Sequence, residues 1–153
     1  MLCVIAFFGI AELPTACYHA PMQKSIQDLI RTLTERYPEY APEAYDFMRA
    51  GLEHAANHYC KGKANAHLTA EQLYLGACSY ALEEYGPLAL NVLNFWGISS
   101  GVDFGRIVYN LIEVGIFGKQ KEDKQEEFDV LPPLEEVLNA PYHVELPKDI
   151  FIA

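Results

Sequence analysis

The chain has 153 residues, a length that fits one domain with one hydrophobic core. Its formal net charge of −10 repels phosphate backbones and anionic membrane surfaces, so a nucleic-acid or anionic-membrane partner would need a locally basic surface. With 51% hydrophobic and 12% aromatic residues, the composition is typical of a packed globular protein rather than a disordered one.

The first 21 residues differ from the rest of the chain. Leu2–Ala11 is apolar and has about the length of a signal-peptide core, which is too short to span a bilayer. It lacks a preceding Lys or Arg, and Glu12 interrupts it. We expect Met22 to be the natural start and 1–21 to be an over-extended gene prediction. The alternatives are an export signal or lipid anchor, and an ordered N-terminal element.

Helical spacing of apolar residues predicts two helices before residue 61. Ser25, with Asp28 as a weak capping-box partner, begins the first helix, at about 25–36. Pro42 suits the first position of the second helix, at about 42–60. The N–H that proline lacks would have no hydrogen-bond partner within the helix at that position.

The third helix has the best-marked start in the chain. Thr69 and Gln72 form a capping box, and Gly86-Pro87 ends the helix and lets a fourth begin at once. Gly97 is a natural C-terminal cap for the fourth helix. The apolar positions of the fourth helix, which we expect to face the core, are Leu88, Val92, Phe95 and Trp96.

A fifth helix follows, capped by either Ser100 or Asp103 and closed by Gly115. Its predicted core face consists of Phe104, Ile107, Val108, Leu111 and Ile112. Beyond Gly115 the pattern suits two short strands around a charged turn, with a solvated loop as the alternative. A short helix is expected near 134–138.

These elements predict a mainly α fold of about five helices around one core, with a small β-hairpin after the fifth helix. We divide the chain into the segment 1–21, a helical domain at 22–131 and a Pro-rich C-terminal tail at 132–153 that carries the short helix.

Several separated motifs occur in one order between about Met22 and Val130. They are Tyr40-Ala41-Pro42-Glu43-Ala44-Tyr45, His67-Leu68-Thr69 with Glu71 and Leu73, Tyr85-Gly86-Pro87 with Ala89, Val92-Leu93 with Trp96-Gly97-Ile98, and Asp103-Phe104-Gly105 followed by Ile107-Val108-Tyr109-Asn110-Leu111-Ile112. Through them the chain resembles a family of small uncharacterised proteins found mainly in planctomycetes and verrucomicrobia. The resemblance implies a bacterial protein and no particular activity. Residues 1–21 lie outside it, which supports a start at Met22.

A second resemblance concerns architecture. Gly97-Ile98-Ser99, an apolar helix through Leu111 and then Gly115-Ile116-Phe117 are similar to the second half of a winged helix-turn-helix domain. In such domains a glycine turn precedes a presented helix and a two-stranded wing follows it. A plain helical bundle is the alternative.

Two histidines on the second helix are candidate metal ligands. His54 and His58 are four residues apart and share one helix face, and His67 is a candidate third ligand. Glu53 precedes the first histidine, so the H-E-x-x-H motif of hydrolytic zinc sites is absent. We interpret these histidines as solvent-facing, with a structural metal site as the alternative.

The fifth helix is a weak candidate for reading nucleic acid. Its polar face consists of Asp103, Arg106, Asn110 and Glu113. It combines two carboxylates with one arginine, whereas phosphate contact needs clustered Lys and Arg. Asp103 can instead complement the helix dipole and pair with Arg106. Trp96 is either a core residue or a partner-facing aromatic residue. We take Trp96, Asp103, Arg106 and Asn110 as the interaction candidates.

The sequence shows no recognisable catalytic pattern. It has no G-x-S-x-G elbow, and Gly97, Gly101 and Gly105 lack the preceding strand and following Lys of a phosphate loop. We therefore predict no catalytic residue and no cofactor.

The four cysteines, Cys3, Cys17, Cys60 and Cys78, form no C-x-x-C pair. They are typical of free thiols in a reducing compartment, although a Cys60–Cys78 disulfide stays open. We predict a cytoplasmic location, or export if residues 1–21 act as a signal.

The leading hypothesis is a protein–protein interaction module or adaptor. Its protein partner and oligomeric state stay undetermined. The alternatives are a winged-helix nucleic-acid regulator and a metal-binding protein that uses the histidines of the second helix.

Overall fold

A computed structural model describes residues 24–61, 68–119 and 125–142, together with the backbone of Val4–Ala6. The predicted mainly α fold is confirmed. The helices of the described residues are α1 (Ile26–Arg36), α2 (Pro42–Cys60), α3 (Ala70–Tyr85), α4 (Ala89–Phe95), α5 (Gly101–Glu113) and α6 (Leu134–Asn139). Short 3-10 turns lie at Gly86–Leu88, Gln125–Phe128 and Ala140–Tyr142.

Both capping boxes that the sequence predicts are present. Ser25 Oγ accepts a hydrogen bond from the Asp28 amide at 3.2 Å, and the Asp28 carboxylate accepts one from the Ser25 amide in return. Thr69 and Gln72 make the same reciprocal pair at the start of α3, at 3.1 Å in each direction. Side-chain capping of this kind satisfies amide groups that have no partner within the helix.

The most extensive helix contact joins α2 and α3 along a seam of small residues. Gly51 and Ala55 of α2 face Ala77 and Gly76 of α3. A Cβ atom placed on Gly76 would lie 2.3 Å from Cβ of Ala55, which is closer than two non-bonded carbon atoms can approach. The two backbones are therefore in direct contact, and this pair forms the centre of the fold.

The buried face of α5 is the predicted one except at Ile112, which is only partly buried, and it packs against α2. Phe104, Ile107, Val108 and Leu111 are fully buried. The ring of Phe104 meets that of Tyr74 on α3 edge to face, with the centroids 4.9 Å apart. These contacts connect α5 to both central helices.

The register of α4 is a correction to the sequence prediction. Ala89 and Leu93 face the core, where α4 packs on α3 and α6. Leu88 and Phe95, which we expected inside, are 61% and 86% exposed. This short segment is apolar on more than half of its circumference, so its sequence offers two apolar stripes, and the position of α3 and α6 selects which one is buried.

A short strand, β2 (Phe117–Lys119), follows α5 as expected. Its partner is β1 (Val4–Ala6), and the two run antiparallel with Ile5 opposite Gly118. Phe128, which follows the charged stretch after β2 in sequence, lies in a 3-10 turn and is buried. Its ring lies against Gly105 of α5.

The predicted short helix near residues 134–138 is α6, and it belongs to the core. Leu134 and Leu138 are buried against α3 and α4. The hydroxyl of Tyr74 donates a hydrogen bond to the Pro132 carbonyl at 2.8 Å, which fixes the segment that leads into α6. The segment from Pro132 to Leu138 is thus part of the packed body.

The predictions about a start at Met22 and a signal-like segment at 1–21 lie outside the described residues, apart from β1. Within the described part of the chain, every helix is too short or too polar to cross a bilayer.

Candidate interaction surface

The two histidines of α2 have different surroundings. His54 is half-buried, with its ring 5.7 Å from that of Tyr80 and its Nε2 atom 3.6 Å from Oε1 of Glu83, both on α3. His58 is exposed, and its ring meets that of its neighbour Tyr59 edge to face at 4.7 Å. The expectation of solvent-facing histidines therefore holds for His58 and only in part for His54.

The described residues contain no group of three His, Cys, Asp or Glu side chains placed to hold a metal ion. The proposed third ligand, His67, lies outside the described residues, so the metal hypothesis stays a prediction.

Cys60 and Cys78 are both free thiols, which answers the open question of a disulfide between them. Burial raises the pKa of the Cys78 thiol to about 12, so this thiol is chemically inert in the native fold.

Asp103 and Arg106, two of the interaction candidates, belong to a network at the start of α5. The Oδ2 atom of Asp103 accepts hydrogen bonds from the amide groups of Ser99 and Ser100, and from both of their hydroxyls. Ser100 is the N-cap residue and Asp103 completes its capping box. The other oxygen, Oδ1, accepts from the Tyr40 hydroxyl at 2.9 Å.

The ionisation of this network follows from its surroundings. Burial by itself raises the pKa of Asp103, and the hydrogen bonds from Ser99, Tyr40 and Ser100 together lower it below the ordinary value. Burial raises the pKa of Tyr40 to about 12, with the Asp103 carboxylate adding to this rise and Arg106 opposing it. At neutral pH Asp103 is therefore charged and Tyr40 is protonated, which are the states in which Tyr40 donates its hydrogen bond to Asp103.

Asn110 is not on an exposed polar face, which corrects its selection as an interaction candidate. The residue is only 8% exposed, and its Nδ2 atom donates a hydrogen bond to the hydroxyl of Tyr45 on α2 at 3.2 Å. The hydrogen bond satisfies a buried amide and fixes α5 against α2. Arg106 is the one exposed residue of the three candidates on α5, and its side chain hydrogen-bonds the Tyr40 hydroxyl.

Trp96 lies at the end of α4 and is half-buried between two aromatic side chains. Its ring meets that of Tyr85 edge to face, with centroids 5.6 Å apart, and that of Phe47 at 5.9 Å. Its carbonyl accepts a hydrogen bond from the Ala41 amide at 3.1 Å. Trp96 is therefore partly buried and packs against the core, and its role as a partner-facing residue stays a prediction.

The most exposed apolar side chains in this region lie on the outer side of α4. Leu88 is the N-cap residue of α4 and Phe95 is its last residue, so the two are seven positions apart, about two helical turns, and lie on the same side of the helix. Val92, half-buried, lies between them. We call Leu88, Val92 and Phe95 the α4 face.

Three carboxylates, Glu53, Glu83 and Glu84, lie around Tyr80 and His54, and we call them the acidic rim. All three are exposed, and Glu83 and Glu84 lie in the last turn of α3, just before the 3-10 turn that contains Leu88. Burial raises the pKa of the Tyr80 hydroxyl, and the charges of Glu84 and Glu53 raise it further. Two of the rim carboxylates therefore lie within electrostatic range of one aromatic side chain.

Sequence reasoning missed Leu88 and Phe95 as surface residues. The available signal was Asn91, which lies next to Phe95 on the helical wheel and marks a solvent-facing side. It was outweighed by the apolar character of the residues around it.

A separate shallow groove of about 310 Å³ runs between α1 and the start of α2. Its lining is Gln27, Asp28, Ile30, Arg31, Thr34 and Pro42. Asp28 is already engaged in the α1 capping box, so the groove offers few free polar groups that converge on one point.

Comparison of the chain with family models, with curated proteins and with solved structures found no match in any of the three.

Proposed function

We propose that this chain is a protein–protein interaction module and that the α4 face is its binding surface. The observation that carries the proposal is the exposure of Phe95, at 86%, on a helix whose other side is anchored in the core. Large aromatic side chains are the residues that most often dominate protein interfaces. Burying one such ring on binding contributes about 1.5–3 kcal/mol.

The surface is also held rigidly. Ala89 and Leu93 fix α4 from below, and Trp96 fixes its end through Tyr85 and the hydrogen bond from Ala41. A preformed surface loses little conformational entropy on binding, which favours affinity. Rigid presentation of an apolar face supports a binding role over a purely structural one.

The nucleic-acid alternative ranks lower on the same residues. A reading helix needs several free polar side chains, but Asn110 is buried and Asp103 is engaged in capping. The one exposed cation of α5, Arg106, is too little to contact a phosphate backbone.

Selection from a random-peptide display library tests the proposal, with the full-length chain as the target. We expect the wild-type chain to enrich specific peptides and Phe95→Ser to lose them. Tyr59→Ser is the matched control. It also removes an exposed ring, but from a position about 27 Å along α2 from Ala41, beside Trp96.

Circular dichroism and thermal melting establish that each variant is folded. Enrichment that survives Phe95→Ser, or no enrichment above an empty support, contradicts the proposal.

A further inference from the structure

We infer that the partner of the α4 face is a basic peptide segment, in which Lys or Arg side chains flank apolar ones. This inference rests on the proposed function and specifies the chemistry of the partner. It follows from the charges that border the α4 face and from the helix end beside it.

The acidic rim approaches the α4 face at Leu88, because Glu84 and Glu83 precede Leu88 by four and five residues, across the 3-10 turn Gly86–Leu88. A row of rings also links Glu83 to the end of α4. Glu83 lies 3.6 Å from His54, and the ring of His54 is 5.7 Å from Tyr80. Tyr80 stacks on Phe47 at 5.8 Å, and Phe47 meets Trp96 at 5.9 Å. The row of rings runs beneath the surface at Phe47, which is 4% exposed, so a bound segment meets the carboxylates at the Leu88 end of the α4 face.

The end of α3 strengthens the negative potential at this place. The carboxyl end of a helix carries a partial negative charge of about half an electron, which cationic side chains usually offset. The last turn of α3 has no basic residue and instead carries Glu83 and Glu84. The repulsion between these two carboxylates and the negative end of the helix dipole destabilises α3 slightly, and a bound cationic partner would reduce that repulsion.

The apolar face itself contributes no charge of either sign. The seven residues of α4 are Ala89-Leu90-Asn91-Val92-Leu93-Asn94-Phe95, without any ionisable side chain. On α2, Arg49 is paired with Asp46 at 3.2 Å and so does not neutralise the rim. The surface thus combines an apolar centre with an anionic border, and the net charge of −10 attracts cationic partners over longer distances.

The same peptide selection tests the inference when the selected sequences are scored for charge. We expect the pool enriched by the wild-type chain to carry an excess of Lys and Arg over the starting library. Glu83→Gln/Glu84→Gln should remove this excess and weaken the best peptides about tenfold at low salt, with a smaller effect at high salt.

The control is Glu35→Gln/Glu71→Gln, which changes the net charge equally. Glu35 is exposed on α1, and Glu71 lies at the other end of α3, about 18 Å from Glu83. This variant should leave the charge of the selected pool unchanged.

The outcomes separate the inference from the proposed function. A neutral or acidic pool whose binding still requires Phe95 overturns the inference and leaves the interaction module standing. If the wild-type chain enriches no peptide whose binding requires Phe95, both the inference and the proposed function are overturned.

Two other occupants would also overturn it. One is a second copy of the chain, shown by a dimer in light scattering that Phe95→Ser dissolves. The other is the chain's own segment 143–153, shown by a synthetic peptide of that sequence displacing the selected peptides.

Discussion

The hydroxyl of Tyr40 donates a hydrogen bond to Oδ1 of Asp103 at 2.9 Å, across 63 positions of sequence. The same carboxylate caps α5 through its other oxygen. One side chain therefore both starts α5 and ties it to the linker between α1 and α2. Next to this point, the linker amide of Ala41 binds the carbonyl of Trp96, so the network also positions the end of α4.

The coupling between Tyr40 and Asp103 is the first prediction. Tyr40→Phe should lower the free energy of unfolding by about 1–2 kcal/mol, because a hydrogen bond to a charged acceptor is lost. Asp103→Ala should cost about 2–4 kcal/mol, because the cap is lost as well. Urea denaturation of both single variants and the double variant measures the interaction. Strictly additive losses would show that the two residues act independently.

The second prediction concerns acid. Because the pKa of Asp103 is lower in the folded chain than the unfolded value of about 3.9, its ionised form stabilises the fold above that pH. This contribution is lost as the pH falls through the folded pKa. Wild type should therefore exceed Asp103→Asn in stability at pH 7, and the difference should shrink below about pH 4.

Comparing the two proteins at each pH cancels other carboxylates, including Asp28, whose pKa the hydrogen bonds to Ser25 lower. A stability difference that stays constant from neutral pH to about pH 2 contradicts the prediction.

The third prediction concerns the seam between α2 and α3. In an exposed helix Gly→Ala stabilises by up to about 1 kcal/mol. Gly76→Ala should instead destabilise by about 1–3 kcal/mol, since the new methyl group would collide with Ala55. Ala55→Gly in the same chain should recover part of the loss.

The exposed Ser79→Ala in the same helix serves as the control and should be neutral or slightly stabilising. A more stable Gly76→Ala would mean that the two helices are farther apart than described.

The fourth prediction concerns the register of α4. Leu93→Ala should cost about 2–4 kcal/mol, because it leaves a cavity in the core. Phe95→Ala, two residues away, should change stability by less than about 0.5 kcal/mol, because the ring is in solvent. Thermal or chemical unfolding of the two variants measures both losses of stability. A larger loss for Phe95→Ala than for Leu93→Ala would contradict this register and favour the one that the apolar pattern predicted, with Phe95 in the core.

Local features of the fold were predictable because their causes are local. The capping boxes at Ser25 and Thr69 need only residues three positions apart, and Pro42 starts α2 through its own backbone. The core face of α5 was equally clear, since one stripe from Phe104 to Leu111 is plainly more apolar than the rest.

The candidate site was not predictable in the same way. Asn110 is a polar residue of a type that is usually exposed, and its burial is favourable because its side chain donates a hydrogen bond to the Tyr45 hydroxyl. Tyr40 and Asp103 are individually ordinary, and their pairing depends on the path of the chain between them.

The sequence alone therefore determined where the helices begin and end, because hydrogen bonding at helix termini acts over one turn. The tertiary structure decided which apolar side chains of α4 are buried and which remain in water. The physical reason is that burial depends on the neighbours that supply a packing surface, here α3 and α6 beneath Ala89 and Leu93, and not on the apolarity of a residue itself.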